Sequence, residues 1–465
     1  MKFFGDKKTD EVKALNIIIV GCGKVGATLT YSLSNEGNNV TMIDISQERI
    51  DDITNQYDVM GYVGNGASYS TLKEVGVDDA DLFIAVTGSD ELNLLCCTVA
   101  TRVGKCSAIA RVRTPDYNKE INYLRDRLEL AMIINPEFEA ALEIARILYL
   151  PSALEVGSFA HGEAEMIKFK LAEDSPLDGK QVAQISHGIS QRFLFTAVQR
   201  EDKVIIPNGL FTLEAGDVVS IVTPRRQGRS CLNALGVKTP HVRDALIVGG
   251  GKGAYYLATQ LIHEGIEVKI IERDTDRCEE LSVLLPEAII INGNGTDEAL
   301  LYEAGIETVG AFVPLTGIDE ENIMLTLHAK GVSETKVVTK VNRFAFHEVI
   351  NSLDLGSIVY PRIITSEYIL AFARAKRASM DSAIETLYHM YDGAVEAIEF
   401  KIENESPITG VKLKHLRLKK NVMVSFINRN GRIIFPTGDD TIEVGDTMMI
   451  VTTNSGFNDI SDILD

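Results

Sequence analysis

Gly21, Gly23 and Gly26 stand in a Gly-x-Gly-x-x-Gly pattern directly behind the apolar run Leu15–Val20. Glycines at that spacing suit a strand-to-helix turn that wraps a diphosphate. The first permits the tight turn, the second lets the backbone approach the phosphates, and the third lets the helix lie against the strand. The exposed amides of the helix start, at the positive end of its dipole, then draw the anion in. Cys22, Lys24 and Val25 complete the turn, and Asp44 closes the next apolar run. A carboxylate roughly twenty positions beyond the glycines accepts from both ribose hydroxyls and repels a 2′-phosphate. NAD or another adenosine nucleotide is favoured over NADP.

Thr87-Gly88 follows the apolar stretch Asp81–Val86. In a 3-2-1-4 strand order that loop faces the phosphate loop across the topological switch point. It reads either as a nucleotide contact or as the cap of a helix starting at Asp90. Arg111, ending the next apolar stretch, is either a bidentate phosphate donor or a surface residue. Lys24 and Lys252 are not followed by Ser or Thr and lack the P-loop glycine spacing, so no P-loop is present.

The elements that must position these residues occur twice. LNIIIVGCGKVG at 15–26 is answered by RDALIVGGGKGA at 243–254, an offset of 228 between Gly21 and Gly249. Val63-Gly64-Asn65-Gly66 and Thr87–Asn93 recur at Asn292–Gly295 and Thr316–Asn322, and Glu214–Asp217 recurs at Glu443–Asp446. Matches held in register over so long a stretch identify an internal duplication. The second copy keeps Gly249, Gly250, Gly251, Lys252 and Gly253, puts Ala254 at the third glycine, and places Glu272, Thr316 and Gly317 where the first has Asp44, Thr87 and Gly88. Lys340 and Asn342 stand in for Arg111 and Arg113. Both sites are expected to bind nucleotide, the second with weaker or different phosphate contacts.

Within each half, apolar strands alternate with amphipathic helices, as a doubly wound parallel sheet requires. Strands are expected near 15–20, 39–45, 58–63, 81–86, 106–112 and 131–134. From about Val156 the pattern turns to short alternating strands with hairpin signals such as Asn430-Gly431. The expected organisation is α/β: two Rossmann domains at 15–150 and 243–375, each followed by a small α+β module, at 155–228 and 390–460. Residues 224–242 read as the linker between halves.

The formal charge of −20, from 66 acidic and 46 basic residues, disfavours nucleic acid and anionic lipid as main partners. Six cysteines without a CxxC pair read as packed thiols, and eight histidines show no metal-ligand spacing. No apolar run is long enough to span a bilayer. Met1–Ala14 lacks the apolar core of a signal peptide and reads as a short cytoplasmic lead-in.

The doubled order of modules, with VGCGKVG, the closing Asp44, VTGSDELN and ARVRTPDY, resembles the regulatory subunits of Trk-type potassium uptake systems, built from RCK (KTN) domains. The resemblance covers essentially residues 15–460. It implies a cytoplasmic homo-oligomer on the inner face of the membrane, gating a separate membrane-embedded potassium pore subunit. It also implies NAD or NADH, and adenine nucleotides such as ATP or ADP, as ligands. Carried over, Gly21 to Gly26, Asp44, Thr87, Gly88 and Arg111 would line one site. Gly249 to Gly253, Glu272, Thr316 and Gly317 would line the other. The rival reading is an NAD-dependent oxidoreductase, for which Tyr69-x-x-x-Lys73 is the one catalytic spelling. It falls after the third strand, where an ordinary helix surface is expected.

Overall fold

The computed structural model describes residues 14–160, 163–201, 203–225, 227–237, 242–342, 350, 353, 355–379, 384–391, 394–454, 457 and 459–465. Most of Met1–Ala14, up to residue 13, therefore lies outside the described residues.

Ile17, Ile18, Ile19 and Val20 are all buried, as a strand covered on both faces must be. Ile17 and Ile19 face Leu29, Leu33, Ile50 and Ile53, whereas Ile18 and Val20 face Cys96, Cys97 and Ala100 on the other side. That strand, β1 (Asn16–Val20), is joined by β2 (Asn39–Asp44), β3 (Met60–Val63), β4 (Leu82–Ala85), β5 (Ser107–Arg111) and β6 (Met132–Ile134). They form one parallel sheet in the order β3-β2-β1-β4-β5-β6. Strand order reverses between β1 and β4, which opens a crevice at their carboxyl ends.

β7 (Ala153–Phe159), β8 (Ala164–Lys170), β9 (Leu194–Arg200), β10 (Lys203–Ile205) and β11 (Val218–Pro224) build a separate antiparallel sheet, ordered β10-β9-β11-β8-β7. The second half repeats both sheets. β12 (Asp244–Val248), β13 (Glu267–Glu272), β14 (Ile289–Asn292), β15 (Ala311–Pro314), β16 (Lys336–Lys340) and β17 (Ser357–Val359) are parallel, ordered β14-β13-β12-β15-β16-β17. β18 (Ile384–Met390), β19 (Val395–Lys401), β20 (Val422–Arg429), β21 (Arg432–Ile434) and β22 (Thr447–Thr452) are antiparallel, ordered β18-β19-β22-β20-β21. Arg429 pairs with Arg432 across Asn430 and Gly431, both at positive φ, so the expected two-residue hairpin is present.

Two features depart from the contiguous plan. The stretch from 224 read as a linker contains the helix Gly228–Ala234, and Cys231, Leu232 and Leu235 are fully inside the core of the first antiparallel module. Its short length and basic flanks hid an apolar face that only the sheet reveals. The terminal helices of the Rossmann modules are also exchanged. Helix Pro136–Tyr149 follows the first parallel sheet but, from Glu137, belongs to the compact unit of the second, where Phe138 meets Tyr256 edge-on at 5.3 Å. Helix Pro361–Ser379 follows the second sheet, yet residues 362–377 belong with the first, where Ile369 and Ala373 enter its core.

The small antiparallel modules pack on one another through like faces. Phe159, Met166, Ala197 and Val222 of one meet Met390, Val395, Phe426 and Val451 of the other. Phe159 lies edge-on to Tyr388, Ser220 Oγ is 2.6 Å from the Tyr391 hydroxyl, and Glu399 accepts from the Ala160 amide at 2.8 Å.

The repeated Glu-x-Gly-Asp is a structural lock. Asp446, 1% exposed, accepts from Arg429 Nε at 2.9 Å and Nη2 at 2.8 Å, and from the Glu443 amide at 2.8 Å. Asp217 binds Arg200 and the Glu214 amide in the same way. Asp446→Ala strips partners from a charged group and a backbone amide together. It is expected to cost about 2–3 kcal/mol, read as a lowered denaturation midpoint of the full chain. Glu443→Gln, which alters only an exposed pair, is expected to cost under about 0.5 kcal/mol.

Candidate functional site

Each parallel sheet ends in the same set of groups. Gly21 follows β1 with φ of 105°, and Gly249 follows β12 with φ of 101°, a backbone only glycine adopts without strain. A side chain at Gly21 would meet Thr87 N and Val86 O at 3.1 Å, and one at Gly249 would meet Leu315 O at 3.1 Å. The glycine turn and the loop after the fourth strand are thus in contact across the switch point. Gly23 and Gly251 then act as N-caps of helices Lys24–Asn35 and Lys252–His263 without any capping side chain. Open space lies beyond both glycines. Glycine at the cap position gives the first helical amides no capping side chain of its own. Gly26 meets the need foreseen for it: a Cβ there would come 1.9 Å from the Gly21 carbonyl oxygen. Lys24 and Lys252 are exposed at the two helix starts, with Val25 and Gly253 beside them half-buried.

The acids are fixed by these same loops. Asp44, 7% exposed, accepts from the Cys22 amide at 2.7 Å and from the Ser46 amide at 2.9 Å. Glu272 accepts from the Gly250 amide at 2.5 Å and the Asp274 amide at 2.9 Å. A carboxylate has about four lone-pair positions, so each keeps acceptor capacity toward the crevice. Burial, with Asp44 adding to it, pushes the Cys22 thiol up to about 12, so Cys22 is a packing group and not a nucleophile.

The loop after the fourth strand is held from below by a residue that motif reading missed. Asn93, fully buried, accepts from Thr87 N and Oγ1 at 2.7 Å each and donates to Arg111 O at 2.8 Å. Asn322 does the same for Thr316 and Lys340 O, at 3.0, 2.8 and 3.0 Å. Recurrence of Asn at one offset in both halves was the available signal. Thr87 and Thr316 are thereby turned inward as loop anchors. Of the two readings of this loop, capping falls to Ser89, whose hydroxyl accepts from the Leu92 amide. Gly88 and Gly317 are exposed, with open space beyond them.

Cations separate the two copies. Arg111 donates to Thr87 O and Arg113 Nη2 to Gly88 O at 2.9 Å, so both guanidinium groups lie at the fourth-strand loop. Arg113 is steadied by Asp90, whose Oδ1 is 3.7 Å from its Nε. Burial raises the Asp90 carboxyl, but hydrogen bonds from Thr114 and from the Arg113 and Thr114 amides outweigh it, and the net shift is downward. In the second copy Lys340 donates to Leu315 O at 3.2 Å, and burial pushes its ammonium down. Asn342 replaces the other cation and binds Asp319. A second missed pair is Arg49 and Arg277, on the helix after each acid. Arg49 lies 3.8 Å from Asp44, and Arg277 Nε donates to Gly250 O at 2.7 Å.

Tyr69 and Lys73 lie on the surface helix Tyr69–Glu74, where Lys73 binds both oxygens of Asp78 at 2.7 Å. Among the described residues no group of three or more His, Cys, Asp or Glu is placed to hold a metal, and no helix is long and apolar enough to cross a membrane.

Two parallel sheets with glycine-turn crevices, each trailed by a small antiparallel module, make a duplicated chain of Rossmann-type and α+β modules. The TrkA-N domain family matches residues 17–136 and 245–361, and the TrkA-C domain family matches 166–236 and 397–465. The Trk system potassium uptake protein TrkA homolog 1 of Methanosarcina mazei is 31% identical over 96% of this chain and 99% of its own. The TrkA protein of Haemophilus influenzae is 30% identical over 94% and 95%. The chain belongs to this TrkA family of Trk system potassium uptake proteins. In fold it is similar to the crystal structure of the GsuK RCK domain, with a TM-score of 0.62 at 16% identity over 97% of this chain and 95% of that one. It is also similar to the GsuK channel bound to NAD, with a TM-score of 0.64 at 16% identity over 95% and 77%.

Asn93→Ala leaves the Thr87 amide without its acceptor and its hydroxyl with only Ser89 O, at 3.3 Å. The expected result is faster hydrogen exchange at the Thr87 amide and a loss of about 1–3 kcal/mol in stability. Exchange at the untouched Thr316 amide is expected to stay as it was.

Proposed function

We propose that the chain is the cytoplasmic nucleotide-sensing subunit of a Trk-type potassium uptake system. One adenosine ligand, NAD(H) or ATP/ADP, occupies each glycine-turn crevice, and a homo-oligomer of the chain gates a separate membrane-embedded pore subunit. The observation that carries this reading is the twinned arrangement of carboxylate, glycine turn and uncapped helix start. Gly21 to Gly26, Asp44, Thr87, Gly88 and Arg111 serve the first ligand. Gly249 to Gly253, Glu272, Thr316 and Gly317 serve the second. The similar GsuK structures bound to NAD and bound to ADP support the choice of ligand.

In this reading the helix-start amides take the diphosphate and the acid takes the ribose, while Arg111 and Arg113 add charge beside the first crevice only. Gating follows by population shift, because a ligand spanning two loops binds one arrangement of them better than another. The reading rests on the four modules near 15–150, 155–228, 243–375 and 390–460, with the terminal helices exchanged as described above.

Calorimetric titration of the full chain with NAD, NADH, ATP and ADP tests it. At least one of these is expected to bind. Asp44→Ala and Glu272→Ala are each expected to weaken one site by roughly tenfold, about 1.4 kcal/mol. Full affinity in both variants, or no binding by any of the four, refutes the proposal. Co-purification with a multi-span membrane protein tests the partner.

A further inference from the structure

Residues 406–438 contain seven lysines and arginines and no acid, in a chain where one residue in seven is acidic. Five of the seven fall within residues 412–420. This segment lies on the face of the second antiparallel sheet that is turned away from the first module. Val395, Ala397, Met449 and Val451 look toward that module, whereas Ile398, Phe400, Met448 and Ile450 look toward the segment. Leu413, Leu416 and Leu418 pack on this second group. The residues between them face solvent: Lys412, Lys414, His415, Arg417 and Lys420 are exposed. Lys419 is half-buried, over the Phe457 ring at 5.2 Å.

The backbone of the segment is tied at both ends. Lys412 bridges to Thr441 and Leu418 to Leu464, and the Asp465 amide donates to Arg417 O at 2.8 Å. Acids of the module meet little of the charge. Lys412 and Lys414 share the single carboxylate of Asp439, at 3.0 and 2.6 Å. Asp440 and Asp462 accept instead from the Thr437 and Asp459 amides, at 2.7 and 2.9 Å. Among the described residues the Arg417 and Lys420 side chains have no hydrogen bond or ion pair.

The duplication supplies an internal control. Gln181 bridges to Thr212 as Lys412 does to Thr441, so residues 181–191 take the equivalent place in the first module. Val182 and Ile185 keep the apolar side there, but the stretch holds no lysine or arginine. The fold therefore needs the apolar side of the segment and not its cations.

Cations without a structural task point to an anionic partner. Four of the five in residues 412–420 are lysines, and an ammonium is a point charge without the fork that reads a single phosphate or carboxylate. Acidic motifs are ordinarily held by arginine clusters. A single-stranded nucleic acid is held by stacking aromatics, and none stands between Lys412 and Lys420. An outward-facing, lysine-rich strip suits a broad anionic surface such as lipid headgroups present. The net charge of −20 opposes that contact at long range. At physiological ionic strength, however, the field is screened within about 8 Å, and the strip decides what touches it. Membership of a potassium uptake family places the chain's work at a membrane.

We propose that residues 412–420 are a docking surface for the anionic headgroups of a phospholipid bilayer, contacted through Lys412, Lys414, Arg417 and Lys420. The contact is made by this chain directly and needs no pore subunit. It does not depend on what the glycine turns bind.

Flotation of the purified full chain with lipid vesicles is the test. Vesicles of equal parts phosphatidylglycerol and phosphatidylcholine are expected to carry the chain, and pure phosphatidylcholine vesicles to leave it behind. The variant Lys412→Gln, Lys414→Gln, Arg417→Gln, Lys420→Gln is expected to bind at least fivefold more weakly. Lys412→Arg, Lys414→Arg, Lys420→Arg keeps every charge and is expected to bind as the unmodified chain does. A charge-matched control, Lys105→Gln, Lys170→Gln, Lys180→Gln, Lys203→Gln, removes four exposed lysines elsewhere and is expected to change binding less than twofold. No binding to the anionic vesicles, equal binding to both kinds, full binding by the glutamine variant, loss in the arginine variant, or an equal loss in the control each overturns the proposal. Tighter binding of polyglutamate or of a single-stranded RNA than of the anionic vesicles also overturns it, and assigns the strip to that partner. None of these outcomes bears on nucleotide binding, which the calorimetry of the full chain reads separately.

Discussion

Each crevice depends on one hydrogen bond, from the second amide of the glycine turn to the carboxylate that ends the neighbouring strand. Cys22 N reaches Asp44, and Gly250 N reaches Glu272. The Gly21 and Gly249 amides still reach the neighbouring strand, donating to Ile43 O and Ile271 O at 2.8 Å, but at these positive-φ glycines the chain turns away, and the next amide must find another acceptor. Burying such an amide without a partner costs about 1–3 kcal/mol. The acid meets that need, and its second oxygen starts the following turn through Ser46 or Asp274. One side chain thus sets the shape of the loop and is also presented to whatever lies against it. An amide in its place would offer only one acceptor oxygen, which is why an acid stands there in both copies although its length differs.

Comparison of the copies separates scaffold from charge. The Asn93 and Asn322 anchors, the positive-φ glycines and the bare helix starts are the same in both. What differs is the end of the fifth strand. Arg111 and Arg113 reach over the first loop, whereas Lys340 is drawn into burial and Asn342 is spent on Asp319. Burial disfavours the charged form of Lys340, whereas a guanidinium stays protonated. The first fourth-strand loop therefore carries two guanidinium groups and the second a single, partly buried ammonium, on similar glycine turns with φ of 105° and 101°.

Much of this was legible in the sequence because it was local. Four consecutive buried residues in β1, glycines at fixed spacing and Asn430-Gly431 each reflect a backbone requirement within a few residues. The duplication then doubled every signal. What stayed hidden was set by long-range choice of partner. Nothing in PEFEAALEIARILY marks it as a helix for the second Rossmann module, because an apolar face suits any sheet of the right curvature. Helix Gly228–Ala234 was concealed by its brevity and its basic neighbours, and its three core residues make sense only against β11. Arg49 and Arg277 keep the 228 offset of the glycines and the acids, which was the available signal, but no motif asks for an arginine on an exposed helix. Their place beside the acid follows from the turn that Ser46 and Asp274 cap.

The exchanged helix constrains how a ligand at the first crevice could be felt elsewhere. Helix Lys24–Asn35 begins at the glycine turn and ends at Glu36, a carboxylate at the negative end of the helix dipole, where a negative charge is unfavourable. Arg374 and Arg377 offset that cost: Arg374 Nε donates to Glu36 at 2.7 Å, and Arg377 donates to its carbonyl and carboxylate at 3.1 and 3.2 Å. Both arginines sit on a helix contributed by the second half of the chain. In the proposed reading, a diphosphate at the amino end of this helix would act on twelve residues whose other end is held by Arg374 and Arg377. Shifting the helix would strain charge-assisted bonds worth about 1.5–3 kcal/mol apiece, while reversing a 1:99 equilibrium takes about 5.5 kcal/mol. Two such bonds altered by ligand are of the size needed.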